Sequence, residues 1–522
     1  MLEKAGGIML PVDKEIREKV LDCKGNIVIS ASAGTGKTYT TVARILRDIE
    51  NNKTFRTFAA ITFTRKAAKE IANRLGVNRD DGFVGTNDNF VWTEIIQPFM
   101  YDVYGRDFKK KINPDYGDAN QIETFDEGIE KIRETGFMCK FSHNHKNFAF
   151  QLALDILKKS HCASRYMKSK YFRIYIDEYQ DSDIDMHSFF IYLCDELKIP
   201  LFVVGDIKQS IYGWRGAYCD GFKGLFEKDG FKLFKLWHNF RSNKAIQNYS
   251  NIFMESVREQ YTRIDFNEEV ILYEYNNQND ACSYIKEWID ESKKCAMLSF
   301  SNADAKSWSD YLNQVGMNFV YVPQSPLDDT RLESEHIWIA RGIANYIMIK
   351  RYSEYDFKDE IPIPDDYKIS ILKSKLKNIS DSIEKKDDFF KASYELYSYL
   401  SYNEVTERVK NEVEKLYDTV IDEEYIPSYN SESYLLTSGT IHSSKGLEFS
   451  QVIINAGNYN FDNDGIKYLH YVAVSRPEDR LLVLSEQGYY ARRYLGYIDE
   501  AISDLNKIGY EVVRDDIISL VK

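Results

Sequence analysis

One run constrains this chain more than any other: NIVIS at 26–30, then ASAGTGKT at 31–38, running straight on into TYTTVARILRDIENN. The first segment is short, apolar and β-branched, the pattern of a buried strand, and the last alternates as an amphipathic helix. A glycine loop between a buried strand and a helix lets backbone N–H groups turn inward around an anion. The helix N-terminus adds partial positive charge there. Ala33, Gly34, Thr35 and Gly36 would form that cradle, Lys37 would reach the β- and γ-phosphates, and the Thr38 hydroxyl would ligate Mg²⁺. Ala31 stands where the strict pattern has glycine.

Two later strands end in chemistry of the same kind. YFRIYI at 171–176 runs into DEYQD, which suits a Mg²⁺-holding Asp177 and a water-activating Glu178. The same acids would also serve as a helix N-cap and acidic first turn. PLFVVGD leads into GDIKQSIYGWRGA at 205–217, where Gln209 is positioned to sense a γ-phosphate. Tyr212, Trp214 and Arg215 offer flat faces on which bases stack, with core packing the alternative for the two aromatics.

A chain of 522 residues exceeds what one core sustains and implies about three or four domains. Its net charge of −13 is a poor general footprint for nucleic acid, which is held by phosphate neutralisation, so any such binding must be local. Basic residues do gather at Arg106 and Lys109 to Lys111, then at Lys158, Lys159, Arg165, Lys168, Lys170 and Arg173. Solvated helix faces would give the same pattern. The 7 cysteines include no CxxC pair, which fits reduced thiols. Cys139, His143, His145, His161 and Cys162 lie near one another in sequence, but their spacing matches no usual zinc pattern. No apolar run approaches the roughly 20 residues of a membrane span. The N-terminal stretch lacks a charged head followed by an apolar segment, so a cytoplasmic protein is expected.

ASAGTGKT, AAITFTRKAA, DEYQD, VVGDIKQSIYGWRGA, NFRS, TIHSSKGLEF and YVAVSR occur in the order found in UvrD-like superfamily 1 helicases, which the chain resembles over most of its length. The resemblance implies an α/β fold of two RecA-like P-loop domains with parallel sheets, each carrying a mostly helical insertion. ATP would lie between the domains and single-stranded DNA across the top, with stepping usually 3′ to 5′. It implies that Arg241 and Arg476 reach the γ-phosphate, that Glu448 contacts the ribose, and that Phe63, Thr86, Tyr212 and Trp214 contact DNA. The family's adenine-reading Gln corresponds by spacing to Glu15 here. An ionised Glu only accepts hydrogen bonds, so a range of NTPs and dNTPs wider than ATP is expected. Tyr39 and Phe240 would sandwich either purine.

The expected boundaries are 1–87 with 166–235 for the first RecA-like domain, interrupted by a helical insertion at 88–165. The second is expected at 236–347 with 423–522, interrupted by a reduced helical insertion at 348–422. Asp88 replaces a histidine usual in relatives, and the small second insertion makes strand separation less expected than hydrolysis. Within the class, GTNDNFV, NFAFQLALDILKKS, SKYFRIYIDEYQDSDIDMH, IQNYSN and NFVYVPQSPLD resemble the helicase-like subunits of Gabija anti-phage defence. That resemblance implies a GajA-like ATPase and Toprim endonuclease as partner in a hetero-oligomer, and hydrolysis stimulated by DNA ends or single strands. A stand-alone repair helicase and a nucleotide-clamped scaffold are the competing readings.

Overall fold

The computed structural model describes residues 11–76, 82–105, 108, 121–136, 138–143, 146–213, 216–264, 267–328, 336–361, 367–400, 402 and 405–521. The first half carries strands β1 (Asn26–Ala31), β2 (Thr57–Thr62), β3 (Phe83–Thr86), the short β4 (Gln121–Ile122) and β5 (Lys140–Phe141), β6 (Tyr171–Ile176), β7 (Leu201–Gly205) and β8 (Phe231–Leu236). All but β4 and β5 form one sheet in the order β3-β2-β6-β7-β1-β8, parallel throughout. The register is fixed by pairs such as Ile27 with Phe202 and Ser30 with Gly205.

The apolar runs are buried on both faces, as a parallel sheet covered by helices requires. Val28, Ala59, Ile61, Ile174 and Val203 turn to one core. Ile27, Ile29, Ala31, Phe58, Ala60, Tyr175 and Phe202 turn to the other. This is the two-residue period of a strand. Full burial of each large aliphatic side chain stabilises by roughly 1.5–3 kcal/mol.

The second half repeats the plan with β9 (Val270–Tyr275), β10 (Cys295–Ser299), β11 (Val320–Tyr321), β12 (Leu436–Thr440), β13 (Phe449–Asn455), β14 (Pro477–Glu486) and β15 (Ser519–Val521). Their order is β11-β12-β10-β13-β14-β9-β15, again parallel. Leu272, Leu298, Val452, Ile454 and Val483 face one core, and Tyr273, Met297, Ile453, Leu482 and Leu484 the other. The architecture is therefore two RecA-like α/β units, as expected.

A separate apolar cluster joins the helix Ile337–Met348 to helices Ile369–Asp381, Lys386–Tyr399 and Glu407–Val420. Buried among them, Glu412 accepts hydrogen bonds from His336 Nδ1 at 2.8 Å and Tyr397 Oη at 3.1 Å. A core of its own makes this helical unit a body rather than a decorated loop. Among the described residues no helix is long and apolar enough to cross a membrane.

Candidate nucleotide cleft

In the first sheet β6, β7 and β1 are neighbours, so the acids after β6, the glutamine after β7 and the glycine loop after β1 meet at one carboxyl edge. That edge is where open α/β sheets bind ligands. Gly36, at φ +77°, caps the helix Lys37–Asn51, and Gly34 lies at φ +71°, both in the left-handed region that favours glycine. Thr35 Oγ1 ties the loop by donating to Ser32 O at 2.9 Å. The loop tip touches the other half of the molecule: Phe240 N donates to Gly34 O at 2.9 Å, and Ala33 N to Tyr471 Oη at 3.4 Å.

Lys37 Nζ lies 3.6 Å from Glu178 Oε1. Thr38 Oγ1 donates to Asp177 Oδ2 at 3.5 Å. Asp177 is buried, with burial and the Glu178 charge raising its pKa above the ordinary carboxylate range. For Glu178, burial again opposes the charge, but Lys37 and Lys445 outweigh it and hold the carboxylate low and ionised. The pair is thus split into a carboxylate that needs a cation beside it and one that stays available as a base. A hydroxyl and a carboxylate converging as hard oxygen donors suit Mg²⁺, which takes one or two carboxylates together with phosphate oxygens and waters. Glu178 adopts φ +54°, unusual for a residue with a side chain and costing about 1–2 kcal/mol. Its amide is held by Asp177 Oδ1 at 2.9 Å, and its carbonyl accepts from Asp181 N at 3.0 Å.

Gln209 is buried and donates through Nε2 to Asp206 Oδ2 at 2.8 Å. Its Oε1 accepts from Arg476 Nη2 at 3.5 Å, a further contact between the halves. Arg476 immediately precedes β14 and is 2% exposed. Burial, and then repulsion from Arg241, disfavour its positive charge, so an anion arriving beside it relieves both. Arg241 donates through Nε to Glu448 Oε1 at 2.8 Å and through Nη1 to Ser475 O at 3.1 Å. Lys445, which sequence reasoning passed over inside TIHSSKGLEF, donates to Asp181 Oδ2 at 2.6 Å and to Gln209 O at 3.1 Å. Lys37, Thr38, Asp177, Glu178, Gln209, Arg241, Glu448 and Arg476 therefore line one cleft, joined by short polar contacts.

The base-reading expectation meets a different geometry. Glu15 is exposed on the helix Lys14–Asp22. The residue of that helix turned toward the cleft is Arg17, whose Nη1 donates to Thr40 Oγ1 at 3.3 Å and whose guanidinium lies 5.0 Å from the Phe240 ring centre. Buried Asp13 holds it through Nε at 2.6 Å and also accepts from the amides of Trp237 and His238, each at 3.1 Å. Sequence offered no signal for this beyond their i, i+4 spacing. Tyr39 and Phe240 are both exposed large aromatics, 59% and 56%, as stacking faces must be.

Of the residues expected to meet DNA, Phe63 is half-buried against the first core, and Thr86 caps the helix Asn87–Val91 by accepting from Asn89 N at 3.4 Å. Tyr212 is half-buried against the core of the second half, beside buried Ile211. Trp214 and Arg215 lie outside the described residues. So do Arg106 and Lys109 to Lys111 of the basic run, while much of its remainder is engaged locally. Arg173 is buried on Asp48 at 2.9 Å, Lys170 pairs with Glu94 at 2.7 Å and Lys159 with Asp155 at 2.8 Å. Cys139 is buried and Cys162 exposed, and no metal-holding group of three appears among the described residues.

Two RecA-like sheets, a glycine loop with paired acids on one half and two arginines on the other, define a UvrD-like superfamily 1 P-loop protein. A family model described as an AAA domain matches residues 17–215. The Gabija protein GajB of Bacillus cereus (strain VD045) is 37% identical over 494 residues, 94% of this chain and 98% of that protein. DNA helicase II of Escherichia coli (strain K12) is 26% identical over 59% of this chain and 50% of its own length. ATP-dependent DNA helicase PcrA of Staphylococcus aureus (strain Mu50 / ATCC 700699) is 24% identical over 64% of this chain and 54% of its own. The chain spans about half the length of those two helicases. It belongs to the GajB family.

Proposed function

We propose that this chain is a DNA-stimulated nucleoside-triphosphate hydrolase of the UvrD-like helicase type, acting as the GajB-like subunit of a Gabija anti-phage complex with a GajA-like nuclease. The observation that carries the reading is the cleft itself. Lys37 and Glu178 from one half face Arg476 and Arg241 from the other, with Gln209 bridging to Arg476 at 3.5 Å. Thr38 and Asp177 would hold Mg²⁺, which supplies neutralisation of phosphate charge. Lys37 orients the β- and γ-phosphates. Glu178, ionised, accepts the proton of the attacking water. Arg476 and Arg241 meet the charge that develops on the transferred phosphoryl group, where a guanidinium's planar fork pairs with two oxygens. Because the arginines come from the second half, hydrolysis depends on how the halves close, and closure is the motion that grips single-stranded DNA. The near-complete coverage of GajB supports the Gabija assignment over a stand-alone repair helicase.

The test is steady-state hydrolysis of ATP and GTP by the wild type and Glu178→Gln, with and without oligo(dT). The wild type should be stimulated by DNA, and the variant should lose about 10²–10⁴ in rate. Equal, near-zero rates for both proteins would overturn the reading in favour of a nucleotide-clamped scaffold. Because Arg17 rather than an amide side chain is turned toward Phe240, GTP should be used within about 100-fold of ATP. Co-purification with the GajA-like nuclease tests the partner.

A further inference from the structure

The nucleotide cleft and the Tyr212 ring are joined by a chain of buried polar groups. Lys445 Nζ lies 4.7 Å from the centre of the Tyr212 ring and 2.6 Å from Asp181 Oδ2. Gln180 Nε2 donates to Asp181 Oδ2 at 3.3 Å and to Glu178 Oε2 at 2.5 Å. The Gln180 amide cannot turn over freely, because its Oε1 accepts from the buried amide of Asp206 at 2.9 Å. Asp181 is buried, and its other carboxylate oxygen has no hydrogen-bond partner among the described residues, so its charge is balanced through Lys445. Burial raises Asp181 to about 6 despite Lys445.

We infer that Lys445, Asp181 and Gln180 form a positioning relay that links the Tyr212 ring to the Glu178 carboxylate. The inference rests on the DNA-stimulated reading above, with Tyr212 meeting a base. Lys445 follows β12 in the second half, whereas Asp181 and Gln180 follow β6 in the first, so the relay is made or broken as the halves shift. The two N–H groups of Gln180 Nε2 go one to each carboxylate, so the position of the amide is set by both. With Lys445 on Asp181, that carboxylate is held where the Gln180 amide spans it and Glu178, and the amide fixes Glu178. When Lys445 withdraws, Asp181 loses its balancing charge and shifts, the shared amide shifts with it, and Glu178 loses its aim. A base stacking on Tyr212 changes the face that Lys445 occupies, and so reports DNA to the base that activates water. This is a two-arrangement element biased from both ends, which coupling between sites requires.

The experiment compares hydrolysis by the wild type, Lys445→Gln, Lys445→Arg, Asp181→Asn and the Lys445→Gln/Asp181→Asn double variant, with and without saturating oligo(dT). The quantity read is the ratio of the two rates, alongside nucleotide KM, DNA affinity by fluorescence anisotropy and thermal melting. Lys445→Gln and Asp181→Asn should each cut the stimulation ratio about tenfold or more while nucleotide KM and DNA Kd stay within about threefold. The double variant should be no worse than either single, and Lys445→Arg should retain more stimulation than Lys445→Gln. Unchanged ratios, additive losses, or a fall in DNA affinity that accounts for the lost stimulation would each overturn the relay. Asp181→Asn conserves shape, so it decides the matter if Lys445→Gln melts early. An unstimulated wild type would instead refute the DNA-stimulated reading, and the relay with it.

Discussion

Gly34→Ala is the sharpest probe of the idea that the two halves must meet at the glycine loop. Gly34 sits at φ +71°, where a Cβ costs about 1–2 kcal/mol. The new methyl would also lie 2.7 Å from Asn239 Cγ and 2.9 Å from Arg241 Cβ, with Asn239 Oδ1 nearer still. Carbon atoms rest at about 3.5–4.0 Å, so the segment bearing Arg241 must retreat by about 1 Å. A misplacement of that size is enough to cost about 10²-fold in rate. Gly25→Ala separates the two contributions: its φ is +84°, and among the described residues nothing lies within 4 Å of the added methyl. Both variants should lower the melting temperature through the backbone cost, and Gly34→Ala by more because of its clash. Only Gly34→Ala should lose hydrolysis, since its clash is with the segment 239–241 that carries Arg241. The assay is DNA-stimulated hydrolysis beside thermal melting for the two variants. A Gly34→Ala rate within twofold of Gly25→Ala would refute the argument that this contact positions Arg241.

Two further outcomes follow from the same geometry. Arg241→Ala should reduce single-turnover hydrolysis by about 10³ or more with little change in melting temperature. Arg241→Lys should recover only a small part, because an ammonium lacks the planar fork; retention above a tenth of the wild-type rate would contradict the role. His470 is fully buried on Tyr494 Oη at 2.6 Å, and burial lowers its pKa from 6.5 to about 3. The unfolded chain therefore binds a proton that the folded chain refuses between those values. This site's contribution to stability is present above pH 6.5 and is lost as pH falls, at about 1.4 kcal/mol per pH unit. Denaturant midpoints for wild type and His470→Gln should show the stability gap shrinking by about 2 kcal/mol from pH 7 to pH 5; a constant gap would refute it.

What could be read without coordinates was local. The strand, loop and helix around 26–52 carry their own instructions, because β-branched burial, positive-φ glycines and the helix start all lie within one short stretch. The same holds for Asp177 and Glu178 at the end of β6 and Gln209 after β7. The basic run at 158–173 misleads as a DNA footprint, because a sequence cannot distinguish an arginine facing phosphate from one buried on Asp48.

The glycine loop's conformation and the fold class it implies were legible in the sequence alone, since both depend on backbone preference and nearest neighbours. The tertiary structure decided everything that joins the halves: Gly34 against Phe240, Arg476 on Gln209, Lys445 on Asp181, and Arg17 rather than Glu15 turned toward Phe240. Most of these partners stand more than 200 residues apart, so their meeting depends on strand order and domain closure, which no local pattern encodes. Arg17 and Glu15 are near neighbours, but which of them faces the cleft depends on how Asp13 docks their helix onto the chain beyond β8.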